Sequence, residues 1–504
     1  MASTCRREAQ PDTGAAKSIV ILYENDVHCS IGGYARLAGL KEAILAADTA
    51  WVATVSSGDF VQGSSPGALS RGQYIVVIMK AVGYDAIALG NHEFDYGVDR
   101  QMELLPQLNT PVLCANFFQC GASTPMYDAY TIKSLGNHQV AFVGALTAQA
   151  MINESYSFYD REGNQLYDLR PDETIPLVQA AVDQARSQGA DYVVVLSHLG
   201  EYQQPLGITS HRLLAATRGI DVLLDGHTHS AIVRDEVANL DGVPVPVSET
   251  GTRFAYVGKL VISADGRIST SLIPIEDIPY VSEKVQAATD SVNRTLALKT
   301  ARVVAHTDYD LTVDDENGRW RVRSGETNMG DLVTDAFRQV MGARIGLCNG
   351  GGIRVSIPAG VITYGNVTDV QPFDNHMALI RATGADILNM LEHCTASYPE
   401  EDGQFPHVSG LCFTLHPQDH SISDVAVWDD ASGTWEALAA DGRYTIALSD
   451  YYMGGGFYDT LKDSELLVHS TLFTRDALAL YLENTLGGTV PAVYERSQGR
   501  VKVE

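Results

Sequence analysis

Residues 221–229 read Asp221-Val222-Leu223-Leu224-Asp225-Gly226-His227-Thr228-His229. A short apolar run ends in a glycine and two histidines spaced one residue apart. Four other stretches of the first half repeat this grammar. Ser18–Tyr23 leads into Asp26-Val27-His28, and Trp51–Ser56 leads into Gly58-Asp59. Asp85–Leu89 leads into Gly90-Asn91-His92-Glu93, and Tyr192–Ser197 leads into His198. A sixth run, Val140–Leu146, carries no such ending. Continuous apolar runs of this length predict strands buried on both faces. Amphipathic stretches at Tyr34–Ala47 and Asp172–Gln188 predict helices between them. The pattern is that of an α/β layered domain.

In open α/β sheets ligands gather beyond the carboxyl ends of the strands, so the five endings are expected on one rim. Their residue types suit a pair of hard cations roughly 4 Å apart, which needs oxygen and imidazole donors and one bridging carboxylate. Asp26, His28, Asp59 and His229 would serve one cation. Asp59 would bridge to the other, completed by Asn91, His198 and His227. Asp-x-His and His-x-His in extended chain would put both side chains on one side. Gly58, Gly90 and Gly226 would permit a sharp turn after each strand. Any one of these residues alone reads as structural or merely exposed. Five endings in order, all behind strand-like runs, read as a metal centre. His138, His376, His407, His416, His420 and His469 fall outside the set and are read as core or surface residues.

The whole chain has 504 residues, 45% of them hydrophobic, with 35 basic against 62 acidic side chains and a formal charge of −27. Its length predicts two or more domains. Its charge argues against a general nucleic-acid or anionic-membrane surface, though a buried cation pair can still dominate the local field. Seven cysteines without a CxxC predict free, mostly buried thiols, with Cys114 and Cys120 as the one plausible pair. No apolar run is long enough to span a membrane, and no secretory leader is visible before Lys17. Short strands and turns follow near Gly242–Ile273, and Tyr280–Lys299 reads as a connecting helix. Helices at Asp331–Met341 and Ala385–His393, with glycine-rich loops at 350–352 and 454–456, mark a second domain. The expected division is a tail over 1–17, a first domain over 18–279, a linker helix over 280–302 and a second domain over 303–504.

The five motifs resemble those of the calcineurin-like metallophosphoesterases. The string Gly90-Asn91-His92-Glu93-Phe94-Asp95 narrows the resemblance to the 5′-nucleotidase branch. The resemblance implies a four-layer αββα sandwich, a connecting helix and a C-terminal α/β substrate domain. It makes His92 and Asp95 a catalytic dyad that does not bind metal. In the second half Glu326-Thr327-Asn328-Met329-Gly330, Asn349-Gly350-Gly351-Gly352-Ile353-Arg354 and Pro372-Phe373-Asp374-Asn375 are similar to the same branch. By that resemblance Arg323, Asn349 and Arg354 contact substrate, and Phe373 and Tyr451 stack on a base. One departure stands out. An ungapped match puts Phe457 where the family has the aspartate that holds ribose hydroxyls, with Asp459 two residues later. A phenyl ring accepts no hydrogen bond.

The resemblance implies hydrolysis of nucleoside 5′-monophosphates to nucleoside and phosphate, by in-line attack of a metal-activated water or hydroxide. The expected cofactors are two divalent ions among zinc, manganese, cobalt and iron. The expected partner is a small nucleotide or related phosphoester, with no nucleic-acid polymer and no membrane insertion. Cyclic 2′,3′-nucleotides and nucleotide-sugar or dinucleotide pyrophosphates are alternative substrates, and a non-catalytic nucleotide-binding protein is a further reading. The family resemblance implies a secreted, periplasmic or cell-surface protein, while the sequence itself leaves the compartment open. The sequence sets no oligomeric state.

Overall fold

A computed structural model of the chain describes residues 17–159, 164–202, 206–315, 317–454 and 459–504. Apart from Lys17, the expected tail over 1–17 lies outside the described residues, as does Phe457. The five runs form strands β1 (Ser18–Glu24), β2 (Ala50–Ser56), β3 (Ala86–Ala88), β4 (Tyr192–His198) and β5 (Val222–Leu224).

They do not share one sheet. β1, β2 and β3 pair in parallel in one six-stranded sheet, while β4 and β5 pair in parallel in a second. Alternate residues explain why both faces of each strand are apolar. Ile19, Ile21, Val55 and Ala88 of the first sheet pack against Val194, Leu196, Val222 and Leu224 of the second, forming the inter-sheet core. The intervening residues face outward. Val20, Leu22 and Ile87 pack under helices Tyr34–Ala47 and Gln73–Val82, and Val193, Val195 and Leu223 under helix Thr174–Ser187. The result is the four-layer αββα sandwich. Burying each of these Ile, Leu and Val side chains contributes about 1.5–3 kcal/mol.

Pro244–Thr250 extends the second sheet parallel to β5, and Tyr256–Ile262 and Ile268–Pro274 extend the first as antiparallel strands. Helix Glu283–Thr300 follows. Its buried stripe of Val285, Thr289, Val292 and Leu296, spaced by 4, 3 and 4 residues, lies on the first domain. The C-terminal half builds a five-stranded sheet, in the order Pro406–Ser409, Ile345–Asn349, Arg443–Ser449, His376–Thr383 and Glu465–Phe473. Helix Asn328–Met341 packs on one face of it, capped by the Thr327 hydroxyl, which accepts from Gly330 N. Helix Gly384–Cys394 packs on the other face.

Cys114 and Cys120 are free thiols and do not pair with each other. Cys120 is exposed and Cys412 half-buried, so the expectation of buried thiols holds for only four of the six described. Among the described residues no helix is long and apolar enough to cross a membrane.

Candidate functional site

The chain turns sharply at the carboxyl ends of β1, β2 and β5, and these turns are strained. Asp26 (φ 50°), His28 (42°), Asp59 (61°), His227 (86°) and His229 (58°) all adopt left-handed backbone. That conformation costs a non-glycine residue roughly 1 kcal/mol or more and persists where the surroundings over-determine it. The expectation of extended Asp-x-His and His-x-His segments is therefore corrected. The paired side chains meet because the backbone curls, not because alternate residues of a strand share a face.

The three glycines also divide. Gly58 has φ 94° and serves the turn itself. Gly90 has φ −103° and is there for close approach, since a Cβ would lie 2.2 Å from Asp59 Oδ1. Gly226 likewise leaves room, since its Cβ would lie 2.8 Å from His198 Nδ1 and 2.9 Å from Asp26 Oδ2. The close spacing of the strand ends excludes a side chain at both places.

All seven candidate ligands converge where the two sheets meet. Asp59 Oδ2 lies 3.1 Å from His198 Nε2 and 3.9 Å from His28 Nε2. Asp26 Oδ1 lies 3.4 Å from His229 Nε2, and 3.8 Å from both His28 Nε2 and His198 Nε2. His28 Nε2 and His229 Nε2 are 3.0 Å apart, and His227 Nδ1 is 2.9 Å from Asn91 Oδ1.

Buried polar atoms normally find partners. Here Asp26 Oδ1 and His198 Nε2 are buried with no well-aligned hydrogen bond, their contacts being the 3.4 Å approach of His229 and the 3.1 Å approach of Asp59. Burial disfavours charge on His198, yet the Asp59 and Asp26 carboxylates outweigh it and push its pKa up to about 10. Burial, then the neighbouring His198, pushes His227 down to about 3. The centre thus draws positive charge to a point between two carboxylates and excludes it from the flanking rings. This donor set fits divalent cations.

Several side chains that support the site carried no role in the sequence reading. The Glu93 carboxylate accepts backbone N–H bonds from Asp59, Phe60, Val61 and Gly90 at 2.7–3.2 Å. It staples the loop after β2 to the loop after β3. Its only sequence signal was its place inside the Gly90–Asp95 string. Glu249 accepts from the Thr228 hydroxyl and Ser230 N, which sets the turn around His229. His92 Nδ1 lies 3.0 Å from Asp95 Oδ2. Burial disfavours a proton on His92, but the Asp95 and Asp59 carboxylates raise its pKa above the ordinary imidazole value.

The C-terminal domain closes a cavity of about 1280 Å³ over this centre, lined by His92, Asp95, Arg323, Arg354, Phe373 and Tyr451 among others. Asn349 lines it too, and its Nδ2 donates to Gly403 O at 2.8 Å, bracing the glycine loop. The Phe373 ring centre is 6.1 Å from that of His92. Arg354 Nε and Nη2 and Arg323 Nε are buried without a partner. Burial pushes the Arg354 guanidinium down to about 9 and that of Arg323 down to about 10. A guanidinium nevertheless keeps its proton at neutral pH. The shifts record a buried Arg354 and a half-buried Arg323 whose neighbouring carboxylates, Asp95 and Asp59 for the first and Glu401 and Asp402 for the second, do not offset burial. Trp320, which the sequence reading passed over, lies under both, with the Arg323 and Arg354 guanidinium carbons 4.2 and 5.5 Å from its ring centre. Phe457 and the Asp459 side chain, where the sequence departs from the family pattern, lie outside the described residues.

Comparison with known proteins agrees with this geometry. Residues 19–231 match the calcineurin-like phosphoesterase family, and residues 303–463 match the 5′-nucleotidase C-terminal domain. The chain belongs to the 5′-nucleotidase family. Human 5′-nucleotidase is 26% identical over 553 aligned residues, covering 98% of this chain and 92% of that protein. The trifunctional nucleotide phosphoesterase YfkN of Bacillus subtilis is 25% identical over 87% of this chain, a match that spans 32% of that longer protein. Among solved structures, a 5′-nucleotidase precursor from Thermus thermophilus superposes with a TM-score of 0.80 at 24% identity, covering 96% of this chain and 99% of that one. A Thermus thermophilus sulfate thiohydrolase shares the fold at a TM-score of 0.74 and 19% identity, covering 99% of this chain and 98% of that one. The chain is a metal-dependent phosphoester hydrolase of this family, and the breadth of the fold leaves its substrate to the details of the cavity.

Proposed function

We propose that the chain hydrolyses nucleoside 5′-monophosphates at a centre for two divalent cations. Asp26, His28, Asp59 and His229 would hold one, and Asp59, Asn91, His198 and His227 the other. Such cations supply Lewis-acid charge and a nucleophile at neutral pH. The remaining work falls to side chains of the chain itself. Arg354 and Arg323 offer planar forks to the phosphoryl oxygens. Asp95 holds the His92 Nδ1–H, so that Nε2 can donate to a phosphoryl oxygen as charge develops there. Phe373 and Tyr451 receive the base, since any base presents a π-face to an aromatic ring. What chiefly supports this reading is that partnerless guanidinium nitrogens, the His92–Asp95 pair and the orphaned Asp26 and His198 atoms all border or underlie one cavity.

A panel of phosphoesters assayed with manganese, cobalt or zinc tests it. AMP should be turned over with a clear advantage in kcat/KM over simple aryl phosphates. Equal rates on both would sink the nucleotidase reading while leaving phosphoester hydrolysis intact. Replacing the dyad histidine, His92→Ala, should lower kcat by about 10²–10⁴-fold, the usual contribution of a positioned proton donor. Cation content, read by elemental analysis, should not change. A cation lost along with activity would place His92 among the ligands instead.

A second reading keeps the centre and enlarges the substrate to 2′,3′-cyclic nucleotides or to nucleotide-sugar or dinucleotide pyrophosphates. Two observations favour it. The cavity of about 1280 Å³ exceeds the roughly 300–1,000 Å³ usual for small-molecule sites. In an ungapped match to the family pattern, Phe457 takes the sequence place of the aspartate that holds ribose hydroxyls. The same panel, extended to these esters, ranks the two.

A further inference from the structure

Asn91 presents a problem of orientation. A side-chain amide has one end that can bind a cation, the oxygen, and one that cannot, the NH₂. Only half of its rotations serve a metal centre. Asn91 Oδ1 faces His227, whose Nδ1 is 2.9 Å away. Its Nδ2 points the other way and donates to Glu154 Oε1 at 3.1 Å. Glu154 is 3% exposed. Its Oε2 has no hydrogen-bond partner among the described residues.

Glu154 is itself held firmly. It closes the helical turn Ala150–Asn153, with its N–H donating to Ala150 O. Just beyond it, the Ser157 hydroxyl donates to Phe94 O at 2.6 Å, and the Phe158 ring packs 4.9 Å from that of Phe94. Both anchors grip the turn that contains Asn91 and His92. These contacts tie the segment 150–158 to that turn and keep the carboxylate at the amide.

We propose that Glu154 is a positioning residue for the metal centre: as an acceptor it locks the Asn91 amide with its oxygen toward the cation site. The inference rests on the two-cation reading above. Burial raises the Glu154 carboxyl well above the ordinary carboxylate range, and a proton on the partnerless Oε2 still leaves Oε1 an acceptor, so the flipped amide, which would aim an oxygen at that oxygen, is disfavoured in either form. Partners of this kind typically change metal affinity by 10–100-fold when removed.

The test is calorimetric titration of the full chain, stripped by chelator, with manganese. Wild type should take up two equivalents. Glu154→Leu should weaken the second by about 10–100-fold, whereas Glu154→Gln, which keeps an acceptor oxygen, should stay within about threefold. The decisive comparison uses Asn91→Asp, whose carboxylate has no wrong end. In that background Glu154→Gln should tighten binding, because a like charge beside the new carboxylate is removed. This arm holds even where the Leu variant fails to fold. If Glu154→Gln weakens binding equally in both backgrounds, the residue is a general structural support and the proposal fails. If wild type binds two equivalents and Glu154→Leu does the same with unchanged affinity, only the role of Glu154 is overturned. If wild type binds none, the two-cation reading itself falls.

Discussion

Asp59→Asn is expected to remove one cation and to lower kcat/KM by roughly 10³-fold or more, about 4 kcal/mol at 1.36 kcal/mol per decade. The carboxylate occupies the middle of the site. Its Oδ2 lies between His198 Nε2 at 3.1 Å and His28 Nε2 at 3.9 Å, and so faces both halves of the donor set. Its Oδ1 is committed elsewhere, accepting the His92 N–H at 2.8 Å. An amide of the same shape keeps that second bond if its oxygen takes it, but then points NH₂ at the two imidazoles. Burial disfavours the Asp59 charge, but His198, His92 and His28 outweigh it and hold the carboxyl well below its ordinary range, so the charge stabilises the metal-free fold at neutral pH. The stripped variant should therefore melt below the stripped wild type. What it should lose is the rise in stability on adding metal, worth about 2.7 kcal/mol for a ligand at a hundred times its Kd. Turnover and metal-dependent melting are read together. A variant with full activity would show that Asp59 is no bridge.

Gly90→Ala should have a comparable effect by a different route. A Cβ at this position meets Asp59 Oδ1 at 2.2 Å and Asp59 N at 2.6 Å. The clash is with a backbone that cannot move freely, because Glu93 accepts N–H bonds from Asp59, Phe60, Val61 and Gly90 itself. Overpacking alone costs about 1–3 kcal/mol. Breaking one or more hydrogen bonds to a buried carboxylate adds about 1.5–3 kcal/mol each. A total near 3–5 kcal/mol is expected in urea unfolding of the stripped protein, together with loss of turnover. Gly32→Ala, at an exposed position where a Cβ meets nothing within 4 Å, is the control and should stay within about 0.5 kcal/mol of wild type. Equal stability of the two variants would show that the loops after β2 and β3 do not touch as described.

The elements were legible where the sequence repeats a clear period. Helix Tyr34–Ala47 has the bounds read from its pattern, and the five site strands fall within two residues of theirs. The candidate ligands were legible because Asp, Asn and His cluster behind those strands and nowhere else at that density. Glu93, Trp320 and Glu154 were not. Glu93 and Glu154 act on groups remote in sequence, and Trp320 also meets the His229 ring of the first domain, 6.4 Å between ring centres, and no periodicity records such contacts. The backbone of the ligand turns was misread for a related reason. A left-handed Asp26 or His229 is unfavourable locally, and only the packed surroundings hold it there.

The order and chemical type of the donors were therefore readable from the chain alone, and with them phosphoester chemistry at divalent metals. Which strand joins which sheet was not readable from the runs. A run such as Val193–Leu196 is apolar on both faces whichever sheet it enters, so hydrophobicity cannot tell one open sheet from two stacked ones. The tertiary structure stacks them, and by doing so brings Asp26, Asp59 and Asn91 from one sheet to His198, His227 and His229 from the other. It also sets the second domain's unpaired guanidiniums above the centre that the two sheets create.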